Sequence, residues 1–132
     1  MGGVFKLMPY QVTWYTEPQI ILYDYNGVLT LDEVNQSNIE ALELMNQASE
    51  PVDFLVDLRY VERITFNISE MLAVQSLHAM ITHPLNHWTA YYDKRSSLAQ
   101  LLMHVLHESV QGRSRFFDSQ AEALEFLQTI QD

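Results

Sequence analysis

The sequence predicts an α/β fold: a single mixed sheet of about five strands with roughly four helices, opened by an N-terminal hairpin and continued by parallel βα units. Two observations predict it. The first is a set of helix-start signatures, Thr30-Leu31-Asp32-Glu33, Asn67-Ile68-Ser69-Glu70, Ser97-Leu98-Ala99-Gln100 and Ser119-Gln120-Ala121-Glu122. Each sets a side-chain oxygen at an N-cap and Glu or Gln three residues on. The cap satisfies an orphan backbone N–H, and the acid or amide reaches back to the cap's own N–H. The second is that runs rich in Val, Ile, Phe, Tyr and Trp lie between those starts, so strands alternate with helices.

Residues 1–9 read as a leader that ends at Pro9, and 10–132 as one domain. Tyr10 to Tyr15 alternates so that Tyr10, Val12 and Trp14 share a strand face. Thr16-Glu17-Pro18-Gln19 is a turn short enough to force an antiparallel pairing with the next strand, Ile20 to Tyr25. Asn26-Gly27 breaks that strand, with Gly27 at positive φ. Thr30 then caps a helix whose inner face is Leu31, Val34, Asn38, Ala41, Leu42 and Met45, closed by Ser49-Glu50-Pro51.

The third strand, Val52 to Leu58, places Phe54, Leu55, Val56 and Leu58 around Asp57, the mark of a strand buried on both faces. Arg59 to Phe66 lacks periodicity and reads as a loop. A second helix is predicted over Ile68 to Thr82, with Met71, Leu72, Ala73, Leu77, Met80 and Ile81 inside, stopped by His83-Pro84. Asn86 to Tyr92 follows as a strand, with Trp88, Ala90 and Tyr92 on one face and Thr89 and Tyr91 on the other. A third helix runs from Leu98 to Val110, ended by Gly112. Ser114 to Phe117 is a last short strand, and a final helix over Gln120 to Ile130 buries Ala123, Leu124, Leu127 and Ile130. Helical crossovers imply parallel pairing from the second strand onward. Strand order does not follow from the sequence.

Composition narrows the function. The 132 residues carry a formal net charge of −10, which repels phosphate backbones and anionic lipid, so neither nucleic acid nor a membrane surface is an expected partner. No cysteine is present, which removes disulfides, thiolate nucleophiles and Cys-ligated metal. No apolar stretch reaches the length of a membrane span, and the N-terminus lacks a signal-peptide pattern, so a cytoplasmic location is expected.

Residues with chemical potential are scattered. His104 and His107 share a helix face, but Glu108 points away from it, so no metal is expected. His78, His83 and His87 show no ligand spacing. Asp53 and Asp57 face one side of the third strand. Asp57 sits near its C-terminal end, where ligands bind in open parallel sheets. Arg59 and Arg63, Lys94 and Arg95, and Arg113 and Arg115 form basic pairs beside strands. Arg59, Lys94 and Arg95 are expected to meet at one sheet edge as a ligand or partner site. No serine occupies a nucleophile turn, no glycine-rich phosphate loop occurs, and no cofactor is implied.

The stretches Ile20-Ile21-Leu22-Tyr23-Asp24-Tyr25-Asn26-Gly27-Val28-Leu29-Thr30, Phe54-Leu55-Val56-Asp57-Leu58 and Arg115-Phe116-Phe117-Asp118-Ser119-Gln120-Ala121-Glu122-Ala123-Leu124 give this organisation a family likeness. It resembles the STAS family, the sulfate-transporter and anti-sigma-factor-antagonist domain, over Val12 to Leu127, and looks most like its divergent bacterial members. In the anti-sigma-factor antagonists a phosphorylatable Ser or Thr opens the second helix after an Asp. The resemblance puts Ser69 at that place, but Asn67 replaces the Asp and Glu70 the following glycine. A phosphate beside Glu70 meets like-charge repulsion, so Ser69 is expected to be mainly unmodified.

The resemblance implies a non-catalytic, protein-binding regulatory module. A binder of a small apolar or anionic ligand near Arg59, Lys94 and Arg95 is the alternative, and an enzyme using Asp57 with a histidine is a third. Apolar side chains on the first strand, an edge strand that invites pairing, add the expectation of a homodimer.

Overall fold

A computed structural model describes residues 10–93 and 113–130. The order is β1 (Tyr10–Thr16), β2 (Ile20–Leu29), α1 (Leu31–Met45), β3 (Val52–Ile64), α2 (Ile68–Leu72), α3 (Gln75–Thr82), β4 (Asn86–Tyr92), β5 (Ser114–Phe117) and α4 (Gln120–Thr129). The strands form one five-stranded sheet in the order β1-β2-β3-β4-β5. β1 pairs antiparallel with β2, and every later pairing is parallel. The expected mixed α/β sheet is therefore present, and its strand order is sequential. The predicted leader 1–9 and helix Leu98–Val110, with His104 and His107, lie outside the described residues.

The helix starts act as caps. Thr30 and Glu33 form a complete capping box, as do Asn67 and Glu70, while Ser119 accepts from the Glu122 N–H. Ser97-Leu98-Ala99-Gln100 lies outside the described residues.

Alternation along the strands divides the core in two. Tyr23, Tyr25, Phe54, Val56, Leu58 and Tyr91 pack on a first face beneath α1, α2 and α3 through Val34, Ala41, Met45, Met71 and Met80. Ile20, Leu55, Ala90 and Tyr92 pack on the second face against Ala123 and Leu127 of α4. The two helical crossovers among the described residues, α1 and the α2–α3 pair, lie on the first face, as same-handed connections between sequential strands require. Several polar side chains inside the first layer satisfy one another: the Tyr25 hydroxyl meets Ser37, the Tyr23 hydroxyl donates to Asn38, and Asn38 donates to Ser76.

Three elements differ from the sequence expectation. β2 does not stop at Tyr25 but runs to Leu29, because Gly27 at φ +72 accommodates an irregularity rather than ending the strand. β3 likewise continues through the segment read as a loop, to Ile64. Register shifts between Asp24 and Asn26 and between Gly27 and Val28 break the alternation that marks a strand.

The predicted helix Ile68–Thr82 is two helices, parted at Ala73 and Val74. Met71 and Met80 are nine residues apart, so a continuous helix would place them about 180° from one another. The break lets both be buried, with Leu72 and Ala73 turned outward instead of inward. Ile130 also falls outside its predicted helix, as the C-cap of α4.

Candidate functional site

Asp24, Asp57 and Tyr92 stand in register on adjacent strands, where the full width of the sheet ends. Asp57 is buried and held by Arg59. The Arg59 N–H and Nε donate to Asp57 Oδ1 at 3.0 and 3.1 Å, and Nη2 donates to Oδ2 at 2.8 Å. This bidentate fork is the strong form of a charge-assisted pair, and the hydrogen bonding with Asp57 raises the already high pKa of the guanidinium. The same guanidinium lies 5.1 Å from the ring centre of Tyr60 and 5.2 Å from that of Tyr92.

The pair shapes its neighbours. Burial, followed by the Asp57 charge, raises the pKa of Asp24, and Arg59 opposes that shift. Burial and then Asp57 also push the Tyr92 hydroxyl upward. That hydroxyl is sealed from solvent and, among the described residues, meets no partner in good hydrogen-bond geometry, with Asp57 the group close enough to act on it.

Past Asp57 the surface changes character. The β3–β4 ladder ends at Asp57 and Tyr92, whereas β3 and β2 pair on through Tyr60, Val61, Arg63 and Ile64. Tyr60 is 53% exposed, Val28 38% and Leu72 39%, and α2 follows directly from this end of β3. Arg63 is exposed on the same extension. Ser69 is exposed on α2. The Asn67 carboxamide and the Glu70 carboxylate exchange hydrogen bonds with each other's N–H around it.

The expected meeting of Arg59 with Lys94 and Arg95 rests on two residues outside those described. Arg59 is engaged by Asp57, Arg63 lies on the extension, and Arg113 and Arg115 are exposed at β5, where Arg115 sits over Phe126. Lys94 and Arg95 lie outside the described residues. The aspartate that meets a histidine is Asp53, whose Oδ1 lies 2.8 Å from His87 Nδ1 and accepts the Trp88 N–H at 3.1 Å. Among the described residues Asp57 has arginine, not histidine, for a partner. No cluster of three or more metal-ligating side chains occurs among the described residues.

Sequence reasoning missed Tyr92 and a cavity on the first sheet face. The cavity, of about 90 Å³, is walled by Tyr23, Phe54, Met71, Leu77, Met80 and Tyr91 among others. The alternation of β4 separates Tyr91 from Tyr92, but their surroundings depend on contacts remote in sequence.

No protein family and no curated protein matches the sequence. Solved structures do match the fold. An uncharacterized protein of the DUF3478 family from Shewanella loihica PV-4, described as having a SpoIIAA-like fold, aligns at a TM-score of 0.64 with 14% identity, covering 95% of this chain and 99% of that one. The fold here is SpoIIAA-like. The anti-sigma factor antagonist SpoIIAA, in its unphosphorylated form, aligns at 0.59 with 12% identity over 92% of this chain and 99% of its own. The STAS-like architecture inferred from the sequence is thus the architecture observed, at identities that speak to fold alone.

Proposed function

We propose that this protein is a non-catalytic regulatory module of STAS type that binds a protein partner at the end of the sheet formed by Val28, Tyr60 and α2. The observation that carries this reading is the exposure of Tyr60, Val28 and Leu72 at that end. Aromatic and large aliphatic side chains offered to solvent are the usual anchors of protein interfaces. The exposed Glu62 and Glu70 beside them suit a partner with a basic rim. The engagement of Asp57 by Arg59 supports a role without chemistry. SpoIIAA, similar in fold, is an anti-sigma factor antagonist.

Control of that surface does not run through Ser69. A phosphate there would find the Glu70 carboxylate in the same first turn, already part of the capping box. Among the described residues β1 is an edge strand, and with Tyr15 exposed at 43% that edge supports self-association into a homodimer. A monomer mass by light scattering at high micromolar concentration would count against it.

The test is affinity capture from native lysate with mass spectrometry, paired with intact-mass measurement of the native chain. A specific protein partner, retained equally by Ser69→Ala and Ser69→Asp, together with an unmodified native mass, is the expected result. Failure to recover a partner overturns the module reading. A phosphorylated Ser69, or opposite effects of the two substitutions, overturns the exclusion of a switch.

A further inference from the structure

The first sheet face holds a void that packing does not fill. Protein interiors leave few spaces larger than a water molecule, yet about 90 Å³ stays open between the strands and the α1, α2 and α3 layer. No Lys, Arg, Asp or Glu stands among its described lining residues. An ion placed there would be desolvated without a counter-charge, so a charged ligand is excluded.

The polar groups around it are mostly engaged with each other. The Tyr23 hydroxyl donates to Asn38, the Asn38 amide to Ser76, and the Asn86 amide to the Met80 carbonyl. Two lining hydroxyls are different, those of Thr89 and Tyr91: neither hydrogen-bonds a described residue. The Tyr91 phenol, on a residue 8% exposed, is the stronger donor of the two. Burial keeps that hydroxyl protonated and able to donate.

Size sets a limit on the occupant. An apolar cavity of about 150 Å³ accommodates benzene, so this one admits roughly four non-hydrogen atoms. Met71 and Met80, on either side of the α2–α3 break, are unbranched and adaptable walls. We infer that this cavity is a binding site for a compact, uncharged organic molecule with one hydrogen-bond acceptor, a short-chain ketone being the type, with the Tyr91 hydroxyl donating to its oxygen. The cavity shares α2 with the proposed partner surface through Met71, but its test does not require a partner.

The full chain carrying methyl-13C methionine is titrated with xenon, with acetone, and with acetate, a carboxylate of nearly the same shape. Saturable shifts of the Met71 and Met80 methyls with xenon and acetone, and none with acetate, are expected. Tyr91→Phe should weaken acetone about 2- to 10-fold, the worth of one hydrogen bond, and leave xenon unchanged. Leu77→Phe, which fills the cavity, should abolish both. Should that variant fail to fold, Tyr91→Phe alone decides. Absence of saturable acetone binding overturns the proposal. So does xenon binding without acetone, acetate binding as tightly as acetone, or an unchanged acetone affinity in Tyr91→Phe.

Discussion

β3 is two different strands joined at Asp57. From Val52 to Asp57 it is flanked by β2 and β4, and Phe54, Leu55 and Val56 are buried on both faces. From Tyr60 to Ile64 its ladder, among the described residues, is to β2 alone, and Tyr60, Glu62 and Arg63 are exposed. At the boundary Arg59, partly exposed, pairs with the buried Asp57 carboxylate. The difference teaches that one strand can serve two purposes. Where both edges and both faces are covered, side chains supply stability. Where the sheet narrows, the same backbone offers side chains to a partner.

Substitutions on either side of the boundary should separate these purposes. The largest effect belongs to the covered half. Phe54→Ala should cost about 3–5 kcal/mol in urea denaturation, since the ring is 2% exposed and its neighbours cannot close the space. A loss below about 1 kcal/mol would mean that the two halves do not differ as described.

At the boundary, Arg59→Ala should cost about 3 kcal/mol, the low end for a broken buried pair because Arg59 itself is partly exposed. Asp57→Asn should cost less, about 1 kcal/mol, since the freed guanidinium still reaches solvent. Equal losses would contradict the view that the buried carboxylate is the dependent partner.

Asp24 should give the smallest stability effect, with a distinctive pH dependence. Its folded pKa lies above the ordinary 3.8, so the native state holds the proton more tightly than the unfolded chain. That stabilisation is complete below 3.8 and is lost as pH rises through the raised value. Asp24→Asn should therefore be more stable than the parent at pH 7 in thermal melts. The advantage should close as pH falls toward 3.8. An advantage that persists in acid would remove burial of the charge as its cause.

Much of this was legible in the sequence for physical reasons. The caps at Thr30 and Asn67 and the left-handed Gly27 are local, decided by residues within a few positions. The doubly apolar run Phe54–Leu58 announced a covered strand. The extension of β3 was hidden because register shifts erase the period-2 signal. The α2–α3 break was hidden because burial of both Met71 and Met80 is decided by the sheet beneath them, not by propensity. Asp57 and Arg59 were each singled out, but not as partners. Their two-residue spacing, which sets both on one strand face, is the signal that pairs them once the strand is known to continue. Tyr92 and the cavity depend on strand register and layer packing, which no local pattern encodes.

The most direct test of the two-purpose strand is to measure stability and partner affinity together in Tyr60→Asp, using the protein recovered by affinity capture. The substitution lies at an exposed site, so unfolding free energy should stay within about 0.5 kcal/mol of the parent. Partner affinity, read by calorimetric titration, should fall at least about tenfold, the loss expected for an aromatic anchor. An unchanged affinity at unchanged stability would contradict the assignment of this end of β3 as the recognition surface.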